Sequence, residues 1–131
     1  MSSFGPVRRM PTATTRCSTD CRRSGRCAAA RGVRHAHHLY IVELDLDRLS
    51  IDRDKFVAAL REEGISTGIH FIALNQQPYY RREHAMTAET ASLASRVSDR
   101  ILSLPLYPAM SETDVDDVAT AVRKLALAYQ R

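Results

Sequence analysis

The sequence predicts a small two-layer α+β domain over residues 35–131, a short and mostly antiparallel sheet with helices on one face. Three observations lead there. Apolar spacing switches along the chain between strand and helix periods, in the order β-α-β-loop-α-β-α. The last helix carries an unbroken stripe, Val115, Val118, Val122, Leu125 and Tyr129, at alternating spacings of three and four. Composition also breaks near residue 34. Residues 1–34 hold eight Arg against one Asp, and the remainder holds eleven Lys and Arg against fourteen Asp and Glu. The net charge of +4 therefore belongs to an N-terminal arm and not to the domain.

Residues 1–34 show neither period, and Val7 and Val33 are their only β-branched aliphatics. Such a stretch buries too little apolar surface to offset its ordering entropy, so a disordered basic arm is expected. The three Cys, at 17, 21 and 27, all lie there. An odd number argues against a disulfide framework. Their spacing lacks the paired short gaps of a zinc site, although His35, His37 or His38 could add a ligand, so no metal is expected. The arm has no apolar core of a secretory signal, and no run approaches membrane-spanning length. The expectation is a soluble, cytoplasmic protein.

"HLYIVELDL" alternates as a strand, with Tyr40, Val42 and Leu44 on one face and Leu39, Ile41 and Glu43 on the other. In "DRDKFVAALREEGI", Asp52 is placed to cap a helix whose stripe is Phe56, Val57 and Leu60. Gly64 suits a left-handed cap, with Ile65 set to touch Leu60. "STGIHFI" predicts a second strand, Thr67, Ile69 and Phe71 opposite Gly68, His70 and Ile72. A polar loop is expected to about Met86, then a helix capped by Thr87 with Leu93, Val97 and Ile101 on its stripe. "ILSLPLYP" is a short strand stopped by Pro105 and Pro108. Ser111 caps the last helix, with Asp114 three residues on in a box-like position.

The candidate chemistry is sparse. A Schiff-base enzyme needs a lysine with a depressed pKa. The only two, Lys55 and Lys124, fall among charged neighbours off the apolar stripes, as solvated surface lysines do. Asp45, Asp47, Asp52 and Asp54 bracket a turn, but the ligand series and bend of a calcium loop are missing, and capping accounts for them better. His70 is a titratable group in the middle of an expected strand. It is either satisfied by local partners or aimed into a cleft at the strand's end. Asn75, Gln76, Gln77, Tyr79 and Tyr80 follow within a few residues and add many donors and acceptors, as binding loops do. The arm lacks the interleaved aromatics of a single-strand nucleic-acid binder, which argues against that partner.

Three stretches, "HHLYIVELD", "SIDRDKFVAALREEGISTGIHFIALNQQPYY" and "ILSLPLYPAMSETDVDDVATAVRKL", resemble in wording, order and spacing the C-terminal part of the DegT/DnrJ/EryC1/StrS sugar aminotransferases. The resemblance implies the small C-terminal domain of a fold-type-I, pyridoxal-phosphate-dependent enzyme that moves an amino group onto a nucleotide-linked keto-sugar. It implies His70, Asn75, Tyr79 and Tyr80 on the substrate side of the cleft of a homodimer. Asn75 stands where the family often has a second His. The family's larger domain, with its cofactor and Schiff-base lysine, has no counterpart among these residues, so no catalytic residue and no cofactor are expected in this chain alone. Its expected partner is a separate large-domain chain or a second copy, with a nucleotide sugar only on complementation. The alternative is a non-enzymatic interaction or dimerisation module.

Overall fold

The computed structural model describes residues 38–131. Strand β1, Tyr40–Glu43, pairs antiparallel with β2, Ile101–Leu104, and Val42 lies opposite Leu102. Alternation along these strands sorts their side chains. Tyr40, Val42, Leu102 and Leu104 face a core that also takes Leu44. Ile41 and Ser103, paired across the strands, point to the opposite face.

Two helices cover the core face. Helix α1, Arg53–Glu62, starts where Asp52 accepts the Lys55 amide at 2.8 Å. It ends as expected at Gly64, whose φ of 78° places it in the left-handed region. The Gly64 amide bonds the Arg61 carbonyl and the Ile65 amide bonds the Leu60 carbonyl, so the carbonyls left over at the helix end are satisfied. Its Phe56 and Leu60 are 1% and 0% exposed and form the centre of the core. Helix α4, Glu112–Ala128, begins with a reciprocal box between Ser111 and Asp114. It buries Val115, Val118 and Leu125 of the expected stripe, with Ala121 added. The Ser50 amide reaches the Tyr129 carbonyl at 2.7 Å, tying the end of α4 to the turn after β1.

Between α1 and β2 the chain departs from expectation in three places. The strand expected over "STGIHFI" contracts to one bridge, Gly68 to Ser103. Its apolar residues find no layer to cover them, and Phe71 and Ile72 remain exposed. The polar loop contains a 3-10 turn, Leu74–Gln76, and a helix α2, Pro78–His84, started by Pro78 in the first turn. Thr87 caps no helix, since its amide and carbonyl close a local turn on the Thr90 hydroxyl. Helix α3 spans Ser92–Ser98, leaves Leu93 exposed and buries Ser95 and Ser98 instead, and Ile101 belongs to β2. The reason is what α3 packs against: the polar backbone of Phe71 and Ala73 and the Asn75 side-chain amide, which reward hydroxyls over methyls.

Candidate functional site

The site is built on the sheet face opposite α1 and α4. Ser103, the third residue of β2, gives both backbone groups to Gly68, with bonds of 2.7 and 3.0 Å. This single bridge sets the direction of the next residues. Two positions on, the His70 ring folds back over the sheet. Its Nδ1 lies 2.9 Å from the Ser103 Oγ. Gly68 makes that possible, because a Cβ there would sit 2.5 Å from the His70 Cε1. The ring also meets Phe71 edge-on, with centroids 5.2 Å apart.

Helix α3 clamps the following segment through its two buried serines, Ser95 and Ser98. The Ser98 hydroxyl accepts the Ala73 amide at 3.0 Å and donates to the Phe71 carbonyl at 3.3 Å. Arg53 donates to the Ser98 carbonyl at 2.7 Å, so α1 fixes the end of α3 in turn. Asn75 is 2% exposed. Its amide nitrogen donates to the Thr87 carbonyl at 2.9 Å and to the Ser95 hydroxyl at 2.6 Å. The side chain thus faces the framework and not the surface. Its oxygen is buried and has no partner among the described residues.

Helix α2 then brings aromatic residues together. Tyr79 and Tyr80 stand edge to face at 5.4 Å, and His84 lies 5.8 and 5.7 Å from the two rings. Tyr79 is exposed, and so are Phe71, Ile72 and Leu74 earlier in the same stretch, which gives this segment an exposed apolar rim. Of the four residues expected to form a site, His70, Tyr79 and Tyr80 lie at least partly open to solvent and Asn75 lies inside. Sequence reasoning passed over Ser95, Ser98, Ser103 and His84. Serines three apart on α3 were a visible signal. So was the four-residue spacing of His84 from Tyr80, once Pro78 is read as a helix start.

The acidic residues are structural. Arg100 makes a forked contact to Asp47, at 3.0 and 3.2 Å, and holds that carboxyl below the usual carboxylate range. The Lys55 amide does the same for Asp52, and the Ser111 amide for Asp114. Asp54 pairs with Arg53 at 2.8 Å. Among the described residues no group of His, Cys, Asp and Glu could hold a metal ion. No helix among them is long and apolar enough to cross a membrane. The arm of residues 1–34, its Cys residues, His35 and His37 lie outside the described residues.

The two lysines do not suit pyridoxal phosphate. Their side chains are 71% and 63% exposed for Lys55 and Lys124. Lys124 is engaged with Glu63 at 2.8 Å. A Schiff-base lysine needs a desolvated or cation-flanked amine, and neither environment exists here.

Comparison with known proteins gives these features a context. The model of the DegT/DnrJ/EryC1/StrS aminotransferase family matches residues 15–123, starting within the basic arm. Over 93 residues the chain is 42% identical to the uncharacterized protein MJ1066 of Methanocaldococcus jannaschii, covering 71% of this chain and 24% of that protein. It is 41% identical over 93 residues to the spore coat polysaccharide biosynthesis protein SpsC of Bacillus subtilis, covering 70% of this chain and 24% of SpsC. The chain thus spans about a quarter of the length of these relatives. A solved DegT/DnrJ/EryC1/StrS aminotransferase from Brucella abortus superposes with a TM-score of 0.57 at 28% identity, over 76% of this chain and 25% of that one. Spr1654 of Streptococcus pneumoniae, described as a sugar aminotransferase, is alike in fold, with a TM-score of 0.61 at 19% identity over 70% of this chain and 22% of that one. By the extent of the family match and the identity to these relatives, the chain belongs to the DegT/DnrJ/EryC1/StrS aminotransferase family.

Proposed function

We propose that these residues act as the small domain of a nucleotide-sugar aminotransferase, lending His70, Tyr79 and Tyr80 to the sugar side of a site completed by a large domain. Asn75 contributes by fixing the segment between them. The observation that carries this reading is the placement of His70 and the two tyrosines, at least partly open to solvent, on a framework of hydrogen bonds and beside an exposed apolar rim of Phe71, Ile72 and Leu74. Polar groups aim at a substrate, and the rim is where a larger body would seat.

By itself the chain neither fixes pyridoxal phosphate nor transaminates, since Lys55 and Lys124 stand in water. An absorbance titration with the cofactor, repeated on Lys55→Ala and Lys124→Ala, tests this. Tight stoichiometric binding lost in one variant would overturn it. When a large domain from a relative is supplied as a separate chain, amino transfer should appear. His70→Ala should then impair use of the sugar more than binding of the cofactor, and equal loss of both would remove His70 from the substrate side. The same exposed rim favours a second reading, a non-enzymatic interaction module. A stable complex with an unrelated protein, together with no complementation by a large domain, would select it.

A further inference from the structure

We propose that Ser103 holds His70 in the tautomer protonated on Nε2, so that the ring offers its open side a hydrogen-bond donor and not a base. The pair is 2.9 Å apart and can be arranged in two ways. If Nδ1 carried the ring proton it would donate to the Ser103 oxygen. The serine's own proton would then need another acceptor. Ser103 is 4% exposed, its backbone is committed to Gly68, and its hydroxyl has no partner other than His70 among the described residues. A buried hydroxyl proton left unpaired is strongly disfavoured. If instead the hydroxyl donates to Nδ1, both members of the pair are satisfied and the ring proton sits on Nε2.

Gly68 leaves room for the arrangement: a Cβ there would stand 2.5 Å from the His70 Cε1 and force the ring away from Ser103. No described residue bonds Nε2. A neutral ring in this state recognises an acceptor oxygen, such as a sugar hydroxyl or carbonyl oxygen or a phosphate oxygen. That a ligand oxygen meets it there rests on the substrate-facing reading above. The tautomer does not, and it can be measured in the chain alone. Ser103 is a positioning residue: it touches no ligand and acts through His70.

Long-range nitrogen–proton NMR spectra of the chain with neutral imidazoles distinguish the tautomers, and His70→Gln identifies the His70 signals among the five histidines. The expected spectrum shows an unprotonated Nδ1 and a protonated Nε2. In Ser103→Ala the two nitrogen shifts should move toward each other as the tautomers mix, and Ser103→Thr should retain the native pattern. A protonated Nδ1 in the native chain, or mixed tautomers already present there, would overturn the proposal even if Ser103→Ala failed to fold. An unchanged pattern in a folded Ser103→Ala would also overturn it. Titration with inorganic phosphate and, separately, with a neutral sugar then identifies the acceptor: a shift at Nε2 alone places that oxygen class on the ring. No shift with either would remove the ligand while leaving the tautomer in place.

Discussion

Gly68 and His70 form one unit. A Cβ at position 68 would stand 2.5 Å from the His70 ring, and that ring satisfies the buried Ser103 hydroxyl. Gly68→Ala should therefore cost about 1–3 kcal/mol, since either the clash persists or the ring leaves Ser103 unpaired. In a His70→Ala background the same glycine change should be close to neutral, because the obstructing ring is gone. Urea denaturation of the two single variants and the double variant measures that coupling. Additive costs would show that Gly68 is needed for its backbone alone. The same scale explains why His70 could be singled out from sequence while its state could not. A histidine inside an apolar run is conspicuous, but its hydroxyl partner lies 33 residues further along the chain.

Helix ends show how closely short-range chemistry dictates an element. The Ser111–Asp114 box sits at the predicted position, and Ser111→Ala should cost about 0.5–2 kcal/mol by thermal unfolding. Asp52 and Asp114 have their carboxyls held below the ordinary range by backbone amides, and Asp47 by Arg100. A folded-state pKa below the unfolded one stabilises the fold above the unfolded value, near pH 4, and that contribution is lost as pH falls through the folded value. The melting temperature should thus hold between pH 7 and pH 5 and decline below about pH 4. Asp114→Asn should remove part of that decline, and an identical pH profile would show that the box contributes no titrating stability. Helix α3 behaves differently. It docks through Ser95 and Ser98, so Asn75→Ala should cost about 1–3 kcal/mol and raise amide exchange first in residues 87–98.

At the scale of the molecule, a small core bears the load. Phe56, Leu60 and Leu102 are its only large side chains buried below 2% exposure among the described residues. Leu60→Ala should cost about 2–5 kcal/mol, a large fraction of the stability of so small a domain, and should leave it partly unfolded at 37 °C by circular dichroism. The segment from Phe71 to Tyr79 carries much of the exposed apolar surface. Phe71 is 74% exposed and Leu74 61%. Self-association that rises with concentration, together with binding of a hydrophobic dye, is expected, and Phe71→Ser with Leu74→Ser should reduce both. A chain that sediments as a monomer at all concentrations and binds no dye would indicate that the rim is inert.

What the sequence determined by itself is whatever depends on near neighbours. The β1 alternation, both caps of α1, the Ser111 box and the α4 stripe each arise from residues within about four positions, where hydrogen bonding and side-chain periodicity act directly. The solvated settings of Lys55 and Lys124 were equally legible, because charged flanks off an apolar stripe face water. Tertiary structure decided the rest. "STGIHFI" has the alternation of a strand, yet strand length depends on a neighbour to pair with and a layer to bury against, and it receives one bridge to Ser103. Helix α3 has an apolar Leu93, yet Ser95 and Ser98 turn inward because what lies beneath them is polar, the Asn75 side chain and the backbone of Phe71 and Ala73. The site follows the same division. His70, Asn75, Tyr79 and Tyr80 could be named from their residue types, but which of them face outward was settled by partners distant in sequence: Ser103 draws His70 onto the sheet, and Thr87 and Ser95 draw Asn75 inside.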